Sequence, residues 1–94
     1  MSMIEIENVG HPDKIYRVDK AKYDAMRQAY LAVLPDAPPG LTPEQIIAAL
    51  LTTLPQDLFP GGDTAGWWGK AVQLDLEAKA VIARSVKPVR LYRL

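Results

Sequence analysis

A chain of 94 residues with 49% hydrophobic content is no disordered tail, and it is long enough for one buried core but not two. It has no cysteine, which excludes a disulfide frame and a thiolate metal site. Its formal net charge is zero, which argues against strong non-specific binding to nucleic acid.

That neutrality hides a partition. Residues 1–63 hold five Lys/Arg against nine Asp/Glu, and residues 64–94 hold six against two, so the two parts carry −4 and +4. One reading is a dipolar surface that serves solubility or packs against a copy of itself; the other is a basic binding face on the C-terminal third. The opening MSMIEIENVG has neither a basic n-region nor an apolar h-region, so no secretory signal is expected. The longest apolar run, Ile46–Leu51, is too short to span a bilayer. A cytoplasmic, single-domain protein over residues 1–94 is the expectation.

At the N-terminus, Ile4 and Ile6 alternate with Glu5 and Glu7, residues 8–13 punctuate, and Lys14–Val18 alternates again. This predicts a β-hairpin with a long turn, or two short strands. Asp19 is a good N-cap for a helix whose apolar positions are Tyr23, Met26, Tyr30 and Val33, with Ala29 and Leu34. Pro35 stops it, and Asp36–Gly40 forms a rigid connector. The second helix has the clearest start: Thr42 as N-cap, Pro43 at N1 and Gln45 at N3 complete a capping box. Leu41 and Ile46 stand as a hydrophobic staple, and Ile46, Ile47, Leu50 and Leu51 supply the buried side before Pro55. Leu58 and Phe59 in the following loop are expected to tuck into the core.

Asp63 or Thr64 caps a third helix with one apolar stripe of Trp68, Val72 and Leu76 and a neighbouring stripe of Trp67, Ala71, Leu74 and Ala78. Together these predict a wide buried face, with Gly66, Lys70, Gln73 and Glu77 as the outward line. Val81–Ser85 and Val89–Arg93 then read as two short strands of a basic hairpin.

The order strand, helix, helix, helix, hairpin resembles a winged helix-turn-helix. The run from Ala71 to Arg84 is similar to the third-helix-into-wing segment of winged-helix domains, including the N-terminal domain of Mrr-type restriction enzymes. Over nearly its whole length the chain also resembles a small family of bacterial proteins of unknown function. That likeness rests on Glu7-Asn8-Val9, His11-Pro12, Arg17-Val18-Asp19, Ala32-Val33-Leu34-Pro35, Asp57-Leu58-Phe59-Pro60-Gly61-Gly62 and Gly66-Trp67-Trp68. These resemblances imply an α+β, winged-helix-like fold of three helices, with an N-terminal strand or hairpin and a C-terminal β-hairpin wing; they bring no activity with them. Three features depart from the winged-helix pattern. Ala80 stands where a glycine is usual at the helix end, the connection Leu54–Asp63 is long, and the third helix is poor in base-reading donors.

No constellation for catalysis emerges. The only histidine, His11, sits in a turn without a second histidine to pair with, and the carboxylates form no cluster at metal-ligand spacing. Gly61-Gly62-Asp63-Thr64 before a helix fails as a phosphate loop, because Gly69-Lys70 is followed by Ala71 rather than Ser or Thr. A non-enzyme without metal or cofactor is therefore expected. Trp67 and Trp68 point about 100° apart on a helix, so they cannot share one environment. Trp68 belongs with Val72 and Leu76; Trp67 is expected to pack as well and is the candidate interface residue. The candidate nucleic-acid set is Lys70 and Gln73 on the third helix with Arg84, Lys87, Arg90 and Arg93 on the wing. The leading expectation is a winged-helix domain that binds DNA or RNA. The alternative is a protein-interaction or self-association module on the same fold, pairing with another protein or with itself as a homodimer.

Overall fold

Asp19 ends a strand and begins a helix. In the structure, a computed structural model that describes residues 2–94, its carboxylate accepts the Ala21 backbone N–H at 3.1 Å. Strand β1 (Met3–Ile6) pairs antiparallel with β2 (Tyr16–Asp19), with Ile4 opposite Val18 and Ile6 opposite Tyr16. Facing residues of an antiparallel pair share one side of the sheet, so Ile6 and Val18 are buried together. Helix α1 (Lys20–Val33) buries Tyr23, Met26 and Tyr30. Leu34 turns extended before Pro35, as the proline ring requires of its predecessor.

The predicted capping box is present. The Gln45 N–H donates to Thr42 Oγ1 at 3.2 Å, and the Thr42 N–H donates to Gln45 Oε1 at 2.9 Å. Helix α2 (Pro43–Leu50) buries Ile46 and Leu50. Leu51, expected on its buried side, is the C-cap instead and is exposed, because the helix ends one residue before it. Phe59 is fully buried and meets Trp68 edge-on at 6.4 Å between centroids.

Helix α3 (Ala65–Ala78) lays Trp68, Val72 and Leu76 into the core as expected. Two other expectations for this helix fail. Of the outward line, Gly66 and Lys70 are exposed, but Gln73 is 2% exposed and the Glu77 side chain only 6%. Tyr30 from α1 and Arg84 from the C-terminal hairpin close over that part of the helix. Of the second apolar stripe, Ala71, Leu74 and Ala78 are half-buried, while Trp67 is 60% exposed. The N-terminal hairpin covers only the later turns of that stripe: the Val9 N–H donates to the Leu74 carbonyl.

Strands β3 (Ile82–Ser85) and β4 (Arg90–Arg93) form the C-terminal hairpin, each starting one residue later than the sequence suggests. The architecture is thus α+β, three helices with a small antiparallel hairpin at each end. Leu41, expected as a staple for α2, is a bridge to the C-terminal hairpin. Its backbone exchanges two hydrogen bonds with Leu91, at 2.9 and 2.7 Å, so the α1–α2 connector lies along β4. Gly40 makes that approach possible: it has φ +86°, and a Cβ there would sit 2.2 Å from the Leu91 carbonyl oxygen. Among the described residues, no helix is long and apolar enough to cross a membrane.

Helix α3 ends in a Schellman motif, with the Val81 N–H donating to the Leu76 carbonyl and the Ala80 N–H to the Glu77 carbonyl. Ala80 is left-handed at φ 59°, the position where glycine is favoured. Ala80→Gly relieves a penalty of about 1–2 kcal/mol, partly offset by unfolded-chain entropy, for a net gain near 0.5–1 kcal/mol. Gly40→Ala, which meets a backbone carbonyl, loses more than about 1 kcal/mol. Urea denaturation of both variants checks these opposite signs.

Candidate functional site

Arg84 is not a free cation of the C-terminal hairpin. Its guanidinium grips Glu77 with two hydrogen bonds, Nη2 to Oε2 at 2.8 Å and Nε to Oε1. The bidentate fit suits the planar fork of arginine. Gln73 extends the chain inward: its Nε2 donates to Glu77 Oε2 at 3.1 Å, and its Oε1 accepts the Tyr30 hydroxyl at 3.4 Å. Burial pushes the Glu77 carboxyl up, but hydrogen bonds from Arg84 and Gln73 and the charges of Arg84 and Lys70 together hold it below the ordinary value. Burial, then the Glu77 charge, raises the Tyr30 phenol well above its usual range. Gln73, expected to read bases from an exposed face, is therefore an internal polar link.

The remaining expected cations do not share a face. The register sets Arg93 opposite Ile82 and Arg90 opposite Ser85. Strand alternation then puts Arg84 and Arg93 on the side of buried Leu91 and Ile82, and Arg90 with Tyr92 on the other. Lys87 occupies the turn at φ 64° and is exposed. Lys70 is exposed on α3, beside Trp67 in a different groove.

A second polar knot escaped the sequence reading. Asp75 is fully buried and accepts three donors: the Tyr23 hydroxyl, the Glu7 backbone N–H at 2.8 Å and Lys79 Nζ at 2.8 Å. Lys79 also lies 5.7 Å from the centroid of the Tyr23 ring. Burial, then the Asp75 carboxylate, raises the Tyr23 phenol well above its usual range. The only local clue was the Asp75 to Lys79 spacing of four; Tyr23 and Glu7 arrive from 52 and 68 positions away.

Trp67 stands at the mouth of a groove between the N-terminal hairpin and α3. Ile6, Tyr16, Ala71 and Leu74 line its apolar floor and walls; Glu7 and Asn8 belong to the hairpin wall and Lys70 to the helix wall. The indole rests edge-on against Trp68 at 5.2 Å, and Trp68 rests edge-on against Phe59, so the exposed ring is braced from the core. Sequence reasoning found Trp67 but missed Tyr16, whose place follows from its register opposite Ile6. The groove holds about 260 Å³, below the roughly 300–1,000 Å³ of small-molecule sites. Among the described residues, no group of three His, Cys, Asp or Glu is placed to hold a metal ion.

The site thus belongs to a small α+β fold with an aromatic groove between the N-terminal hairpin and α3 and with a cationic C-terminal hairpin. Over residues 3–91 the chain matches the model of DUF6958, a family of unknown function, and it belongs to that family. No curated protein and no solved structure matches it.

The two raised tyrosines make a pH signature. An unfolded tyrosine loses its proton near pH 10, while Tyr23 and Tyr30 in the fold keep theirs. Stability is fully present below about pH 10 and falls as pH climbs toward the raised values, because the unfolded chain then binds fewer protons. Glu77 acts on the acid side: its contribution is lost as pH falls through its lowered value. Denaturation midpoints measured from neutral pH upward should decline beyond about pH 10, and Tyr30→Phe should flatten that decline.

Proposed function

We propose that this domain is a non-catalytic protein-interaction module on a winged-helix framework, docking its partner at the Trp67 groove. The observation that carries the reading is Trp67 itself, 60% exposed and braced edge-on against Trp68. A large aromatic ring held rigid at the surface is the kind of residue that dominates binding energy, since little ordering entropy opposes its docking. Three helices closed by a hairpin wing, with Arg84 clamping the wing to α3, support the framework.

A winged helix that reads DNA presents hydrogen-bonding side chains from its recognition helix. The exposed positions in the first turns of α3 are Gly66, Trp67 and Lys70, which offer no amide or forked donor, and Gln73 is occupied inside. Backbone phosphate contacts would fall to Lys87, Arg90 and Arg93, which lie at the turn and on two faces of the hairpin. These placements favour a protein partner over DNA or RNA. A cysteine-free chain is compatible with a cytoplasmic setting.

Exchanging Tyr16 for photoreactive benzoylphenylalanine tests this in the producing cell. Irradiation is expected to yield adducts to protein, and Trp67→Asp should abolish them. Adducts to nucleic acid alone, or none, would overturn the reading. So would salt-sensitive DNA or RNA binding that disappears in a Lys87→Ala/Arg90→Ala variant.

A further inference from the structure

Building on the docking reading, we infer that the occupant of the Trp67 groove is a second copy of this chain, held in an isologous dimer. The charges at the groove's rim carry the inference. Glu7 stands on the hairpin wall and Lys70 on the helix wall, with the apolar floor and the two exposed rings of Tyr16 and Trp67 between them. Both charged residues are exposed, and among the described residues neither makes an ion pair. A two-fold axis through the groove brings Glu7 of each copy to Lys70 of the other, because in an isologous contact residue i meets j and j meets i. A partner of a single sign, such as a nucleic acid or an acidic peptide, would satisfy one wall and be repelled by the other.

The whole chain repeats the pattern. The hairpin wall comes from the part of the sequence that carries −4, the helix wall from the part that carries +4, and their sum is zero. Two copies therefore meet without net repulsion while their opposed halves attract. Two more exposed apolar residues belong to the segment that forms the hairpin wall: Val9, tied by its N–H to the Leu74 carbonyl, and Ile15, which precedes Tyr16.

Sedimentation velocity on the purified full chain, from micromolar to millimolar concentration, tests the inference. The wild type is expected to pass from monomer to dimer. Glu7→Lys and Lys70→Glu should each weaken the dimer by at least about tenfold, since each places two like-charge pairs in the interface. Neither changes a buried side chain, and thermal melts of both variants are to show that they fold. The two variants mixed together should form a heterodimer close to wild-type strength, because every Glu7–Lys70 contact then regains opposite signs. The double variant Glu7→Lys/Lys70→Glu should recover a homodimer for the same reason. A wild type that stays monomeric throughout, a dimer indifferent to both reversals, or a mixture no tighter than its components would overturn the inference. A monomer whose Tyr16 crosslinker still joins it to a different protein overturns only the second copy and leaves the docking reading standing; a monomer with no protein adduct overturns both.

Discussion

The groove exists because one buried carboxylate holds its two walls together. Asp75, on α3, accepts the Glu7 N–H from the end of β1, the Tyr23 hydroxyl from α1 and the Lys79 ammonium from its own helix. An unpaired charge at a fully buried position would be strongly unfavourable. Each of these donors is therefore needed where it is, and together they set the hairpin against α3 at a fixed height. The Val9 to Leu74 backbone bond repeats the attachment at the adjacent residue of α3. The hairpin thereby reaches over the later turns of α3 but not over Trp67, and the uncovered ring is the consequence.

A second polar chain runs from Tyr30 through Gln73 and Glu77 to Arg84. It ties α1, α3 and β3 together and settles how the C-terminal third uses its charge. Arg84 is committed to Glu77 and Lys79 to Asp75, so within residues 64–94 the cations without an ion pair among the described residues are Lys70, Lys87, Arg90 and Arg93. Lys70 faces the aromatic groove and the others belong to the hairpin. A charge excess that looks like one basic face in linear order is divided in space between two unlike surfaces.

The same division appears in the backbone. The C-terminal hairpin is fastened by close backbone approach as well as by the Arg84 clamp: Gly40 lets Leu41 bridge to Leu91, and the Arg93 N–H reaches the Pro35 carbonyl. Ser85 Oγ donates to the Pro39 carbonyl across the same seam. A rigid, proline-rich connector thus acts as a backing for β4, leaving the hairpin's register and its alternation of faces firmly set. The aromatic ladder from Phe59 through Trp68 to Trp67 gives the groove end a comparable stiffness.

Features governed by neighbours in the chain were legible in advance. Asp19, Thr42 with Gln45, and Pro35 mark helix boundaries because caps and proline act within a few residues. The ridge of Trp68, Val72 and Leu76 and the paired C-terminal strands follow from apolar spacing. At Ala80 the sequence showed only that alanine stands where glycine is usual; the structure shows that it takes the left-handed cap all the same. The burial of Gln73, Glu77 and Asp75, the bridge at Leu41 and the exposure of Trp67 were decided by tertiary structure alone. Hydrophobic periodicity says where apolar side chains go; a polar side chain goes inside only if a partner is waiting, and these partners come from up to 68 positions away. Trp67 likewise has the chemistry of a core residue and is exposed only because the hairpin, anchored on Asp75, stops short of it.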